Sequence, residues 1–164
     1  MSAIRPLLIA AGLVLSPVLL PSQHPSPFVG AWRLVSYVQP DSLGRVRPVW
    51  GDRPFGLIIY HADQTMAAQG FDDRRPSLQA NNDAAARAAA FTGLFAYYGR
   101  YDVDSASRQV THHVEGAWIT DWIGHGVVRS YRFLDSDHLE LRVVSNADGR
   151  KILNGGTLVW ERVK

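Results

Sequence analysis

The sequence predicts an all-β fold: an antiparallel up-and-down barrel of about eight to nine strands, with one helix packed on it or lidding it. Three observations point there. Short runs that alternate apolar and polar residues recur from Phe28 to the C-terminus, and clusters of turn-forming residues separate them at hairpin spacing. Only one stretch, rich in alanine, carries a strong helical signal. Connections of hairpin length favour neighbours in sequence as neighbours in space, hence a barrel over a Greek-key sandwich.

The N-terminus stands apart from this pattern. "MSAIRPLLIAAGLVLSPVLL" places Arg5 before an apolar run from Pro6 to Leu20. About fifteen residues is short for a spanning helix and normal for the core of a secretory signal. Residues 1–22 therefore read as a signal peptide and 23–27 as a linker, leaving 28–164 as the barrel domain. No A-x-A triplet precedes the expected cleavage point at Ser22, so an uncleaved membrane anchor is the alternative. The protein is expected to be exported, periplasmic or secreted, or else held at the membrane by this segment. With no cysteine in the chain, lipidation at a lipobox and disulfides are excluded, and an exported fold must rest on its core.

The elements follow in order. "AWRLVSYV" alternates Trp32, Leu34 and Ser36 against Arg33, Val35 and Tyr37, as a half-buried strand does. After the turn "QPDSLGR" comes a weaker strand, "RVRPVW", whose Pro48 marks an edge or bulge. "PFGLIIYH" and "TMAAQG" form a hairpin around His61, Ala62, Asp63 and Gln64. The helix is expected in "NNDAAARAAAFTGLF", capped by Asn82 or Asp83, with Ala84, Ala88, Phe91 and Phe95 on one stripe. Strands resume with "AYYGRYDVD", "RQVTHHVEGAW", "GVVRSYRFLD", "HLELRVVS" and "GTLVWERV".

Length and composition narrow the function. A chain of 164 residues, 46% hydrophobic and 20% charged, fits one globular domain. Its net charge of +2 is scattered, without the basic stripe that nucleic-acid binding requires. Nucleophile elbows, phosphate loops and dinucleotide fingerprints are missing, so no cofactor is expected.

Six stretches in sequence order, "FVGAWRLVSY", "GLIIYHADQTMAAQ", "FAYYGRYDVD", "VTHHVEGAW", "VVRSYRF" and "TLVWERV", resemble the bacterial and fungal lipocalin-like domain family, a calycin-type barrel. Gly30-Ala31-Trp32 is similar to the G-x-W that opens the first strand of lipocalins. The resemblance implies that Trp32 closes one end of the barrel and that Arg162 covers it. It also implies a small, largely apolar ligand, with isomerase or cyclase activity in some relatives. Gln64 stands where the family's hairpin usually has Gly, which implies a looser turn there.

Candidate site residues come from strand geometry. Adjacent side chains on a strand point to opposite faces, so His112 and His113 cannot share a metal ion. His112 falls with Val110, Val114 and Gly116 on the apolar, inward face, and His113 falls with Glu115 outside. The competing reading has His113 paired across the strands and His112 satisfied by a neighbour. No metal site is expected, because a third ligand from His61 or His125 would break the usual spacings. In the next strand Val127, Arg129, Tyr131 and Phe133 share the bulkier face. That puts Arg129 inside, where it must meet a buried carboxylate or await an anionic ligand, unless the strand is read one residue out of register. Tyr97 and Tyr101 share a face and are placed at the same cavity. Trp118 and Trp122 flank a possible mouth.

Three functions are thus weighed. One is binding of a small hydrophobic or amphipathic molecule through His112, Arg129, Tyr131, Tyr97 and Tyr101. Another is an isomerase or cyclase with His112 as acid or base, the only residue here that titrates near neutral pH beside such neighbours. The third is a cell-envelope interaction protein with a filled barrel.

Overall fold

The computed structural model describes residues 26–145 and 149–164. The expected signal segment, residues 1–22, and most of the linker, 23–27, lie outside the described residues.

Nine strands form one antiparallel sheet: β1 Gly30–Pro40, β2 Val46–Pro48, β3 Phe55–Tyr60, β4 Thr65–Phe71, β5 Leu94–Asp104, β6 Gln109–Ala117, β7 Gly126–Phe133, β8 His138–Val143 and β9 Thr157–Arg162. From β3 to β9 each strand pairs with the next, and β1 pairs with both β3 and β9, closing an eight-stranded barrel. Closure leaves no sheet edge in the wall. β2 is the extra strand, pairing only with the end of β1 at Val38–Pro40, and its Pro48 occupies an edge where no ladder donor is needed.

Two bulges change which residues face inward. Between β1 and β9 the register passes from Leu34↔Trp160 to Ser36↔Val159, leaving Val35 as the extra residue. Alternation therefore resets, and Tyr37 turns toward the interior in place of the expected Ser36. Between β5 and β6 the register passes from Tyr98↔Gly116 to Gly99↔Val114, with Glu115 extra. A Cβ on Gly116 would lie 2.4 Å from the exposed Tyr98 ring, so Gly116 belongs to the outer wall and not to the His112 face.

The helix α1, Ala84–Thr92, starts at Asp83, whose carboxylate accepts from the Ala86 amide at 2.8 Å, and ends at Gly93. Ala86 is its one buried residue; Phe91 is half exposed and Phe95 belongs to β5, so the expected stripe of Ala84, Ala88, Phe91 and Phe95 is not the buried face. Strand pairing of Leu94 and Phe95 with Phe71 and Gly70 ends the helix early. α1 packs outside the wall, its Phe91 carbonyl accepting from the Trp118 indole at 3.4 Å. The β3–β4 turn is also tighter than expected. Gln64 takes φ 69, its amide bonds His61 O at 3.1 Å, and Asp63 accepts from both the amide and the hydroxyl of Thr65. These bonds hold a non-glycine residue in the left-handed region.

An aromatic plug fills one end of the barrel. Phe28 is 1% exposed and sits with its ring centroid 5.2 Å from Tyr60, 4.8 Å from Tyr131 and 5.1 Å from Phe133. Trp32, fully buried, donates its indole N–H to Phe28 O at 2.8 Å. Each such buried aromatic contributes about 2–3 kcal/mol by removal from water.

Candidate functional site

Above the plug the interior is hollow. A cavity of about 210 Å³ is walled by inward residues of β1, β3 and β5 to β9, among them Tyr37, Tyr97, His112, Arg129 and Trp160. The glycine pair Gly155-Gly156 and Trp122, from the short 3-10 turn Thr120–Trp122, complete its lining. Trp122 stands edge-on to Tyr97, centroids 5.6 Å apart, whereas Trp118 lies on the outer wall.

His112 is 1% exposed and projects inward from β6, as its place between Val110 and Val114 requires. Tyr60 Oη lies 2.8 Å from its Nε2, and Tyr97 Oη lies 2.7 Å from its Nδ1. Burial, and then the positive charge of Arg129, hold its pKa well below the ordinary histidine value, so the ring is neutral. Burial likewise raises both phenols, Tyr60 most strongly, and keeps them protonated as donors. His113, one residue on, faces out and its Nε2 meets Asp102 Oδ2 on β5 at 2.6 Å, so its partner is Asp102 and not Glu115. Both halves of the competing reading thus hold together with the inward placement: His113 is paired across strands, and His112 is satisfied by neighbours while lining the cavity.

Arg129 enters from β7 and is 8% exposed. Its guanidinium donates from Nη1 to Val128 O at 3.2 Å and bonds the Tyr97 hydroxyl, and among the described residues no carboxylate lies within ion-pair distance. A buried guanidinium has five donors to satisfy. Trp160, also on the cavity wall, has an indole N–H without a partner among the described residues. The site therefore brings a guanidinium and an indole N–H to a cavity with no carboxylate in its lining.

Of the other expected residues, Tyr97 lines the cavity, but Tyr101 and Tyr131 do not. They belong to the plug. Tyr101 packs 4.8 Å from Tyr60 and donates its hydroxyl to His61 O at 3.0 Å, and Tyr131 packs edge-on against Phe28. The space they were placed around is filled by Phe28. At this same plugged end the Arg162 guanidinium lies 3.9 Å from the Trp32 ring centroid. Sequence reasoning passed over Tyr60, although Ile58 and Tyr60 alternate in "GLIIYH" with the parity of a wall residue. It passed over Tyr37 because of the bulge. Among the described residues no three His, Asp or Glu side chains converge as a metal site would require.

A family model described as a lipocalin-like domain matches residues 29–163. No curated protein matches. Among solved structures, a redesigned β-barrel is 9% identical with a TM-score of 0.42, over 84% of this chain and 93% of that one. A de novo designed fluorescence-activating β-barrel is 13% identical with a TM-score of 0.41, over 84% and 94%.

Proposed function

The chain belongs to the lipocalin-like domain family, and from that premise we propose that it binds a small hydrophobic or amphipathic molecule carrying an anionic or hydrogen-bonding group. One observation carries the reading: Arg129 is more than nine-tenths buried, lines the cavity, and has no carboxylate partner among the described residues. An isolated buried cation is costly, and a ligand anion is the partner that offsets the cost. Apolar walls from Ile58, Val127 and Leu141 suit the rest of such a molecule. Ligand-observed NMR with compact ring compounds, charged and neutral, tests the reading. Anionic members are expected to bind and to lose binding in Arg129→Met, and silence from every compound would overturn it.

The isomerase or cyclase reading draws on the contacts of His112 with Tyr60 and Tyr97. Both ring nitrogens are engaged, so a proton would reach a substrate through the Tyr97 hydroxyl. Its test is a His112→Ala variant that keeps binding and loses turnover. The filled-barrel reading has no observation in its favour, since an open cavity touches both His112 and Arg129. Export rests on the N-terminal apolar run alone, with anchoring by that run as the alternative. N-terminal sequencing of the mature protein distinguishes the two.

A further inference from the structure

A neutral imidazole has one N–H and one lone pair, so of the two phenols on His112 one donates to the ring and the other accepts from it. Tyr60 is fully buried beside Phe28 and Tyr101, and among the described residues its hydroxyl meets no polar group except Nε2. If it accepted from an Nε2–H, its own proton would be buried without an acceptor. Tyr97 is placed differently, because it lines the cavity and can send its proton there. One arrangement leaves the spare proton where it can be received: Tyr60 O–H donates to Nε2, Nδ1–H donates to the Tyr97 oxygen, and the Tyr97 O–H turns into the cavity. The Arg129 guanidinium lines the same cavity and is in hydrogen-bond contact with the Tyr97 hydroxyl. Two donors thus border one space, and among the described residues neither faces a carboxylate there.

We infer that Tyr60, His112 and Tyr97 form a directional hydrogen-bond chain that presents the Tyr97 hydroxyl proton beside Arg129, and that these two donors together seat the oxyanion of a compact carboxylate. The inference rests on the ligand-binding reading above and names its polar end. Size sets the other end. A dry cavity of about 150 Å³ takes a benzene ring, so the cavity of about 210 Å³ accommodates a ring with one carboxylate and little more.

Two measurements on the full chain test it. Long-range nitrogen–proton NMR of His112 reads the tautomer directly, with the proton expected on Nδ1; a proton on Nε2 overturns the chain. Calorimetry with benzoate and toluene as probes then tests the seat. Benzoate is expected to bind at least tenfold more tightly than toluene, and Tyr97→Phe to weaken benzoate about three- to tenfold while leaving toluene within twofold. Benzoate binding that survives Tyr97→Phe unchanged, or an equal loss for both probes, overturns the seat and leaves the cavity as a binding site. If neither probe binds, the seat and the ligand-binding reading fall together. Should Tyr97→Phe fail to fold, the tautomer of the unsubstituted chain and its benzoate-to-toluene ratio still decide.

Discussion

The Arg162 guanidinium lies 3.9 Å from the centroid of the Trp32 ring and donates to the carbonyls of Val29 at 3.0 Å and Pro27 at 2.8 Å. One side chain on the last strand therefore clamps the segment that leads into the first strand, at the plugged end. A cation–π contact contributes about 0.5–2 kcal/mol and hydrogen bonds from a charged donor somewhat more. Arg162→Ala is expected to lower stability by about 2–3 kcal/mol, read as a lower Tm by calorimetry. Arg162→Lys should recover less than half, because an ammonium cannot stack on the indole and serve two carbonyls at once. Full recovery by lysine would show that charge alone matters there.

Arg129 should behave in the opposite way. Its guanidinium is buried with one backbone hydrogen bond and no ion pair among the described residues. Replacing an unpaired buried charge by an apolar chain of similar length is neutral or stabilising. Arg129→Met is expected to keep its stability or gain about 1–2 kcal/mol in urea denaturation. Benzoate affinity should fall at least tenfold. A clear loss of stability would mean that the guanidinium holds the barrel together, and the binding role would lose its chief support.

Stability should also depend on pH through His112. Its folded pKa is depressed, chiefly by burial and then by Arg129, so between that value and the ordinary one near 6.5 the unfolded chain binds the proton and the folded chain does not. The contribution is fully present above about pH 6.5 and is lost as pH falls below it, by up to about 1.4 kcal/mol per pH unit. The difference in unfolding free energy between the unsubstituted chain and His112→Asn should shrink from pH 7 to pH 5. A difference that stays flat over that window would contradict a neutral, buried His112.

Much of this arrangement is legible in the sequence because strand parity is strict. Val110, His112 and Val114 on β6, and Val127 and Arg129 on β7, face inward as alternation requires, and Trp32 and Arg162 meet at the barrel end. Parity fails where a strand carries one extra residue. Val35 and Glu115 are ordinary residues for a strand, so nothing in composition marks them as bulges, yet they turn Tyr37 in and Gly116 out. Tyr101 and Tyr131 have the inward parity expected of them but stand at the plugged depth, which depends on Phe28 reaching in from outside the strands. The partner of His112 on β3, Tyr60, lies 52 residues away in sequence, and only the closed sheet brings the two together.

The glycine pair before β9 separates packing from function. A Cβ on Gly155 would lie 1.9 Å from the Val143 carbonyl oxygen, a backbone atom that cannot yield without disturbing the β8–β9 wall. Gly155→Ala is therefore expected to destabilise by more than about 2 kcal/mol. A Cβ on Gly156 would instead meet the Tyr37 ring at 2.4 Å, and that ring can rotate. Both residues border the cavity, so the added methyl and the displaced ring take up room that a ligand would use. Gly156→Ala should fold with a loss below about 1 kcal/mol and bind benzoate several-fold more weakly, by thermal denaturation and calorimetry on the same preparation. Equal destabilisation by both alanines would place Tyr37 in the rigid core and remove it from the account of the cavity.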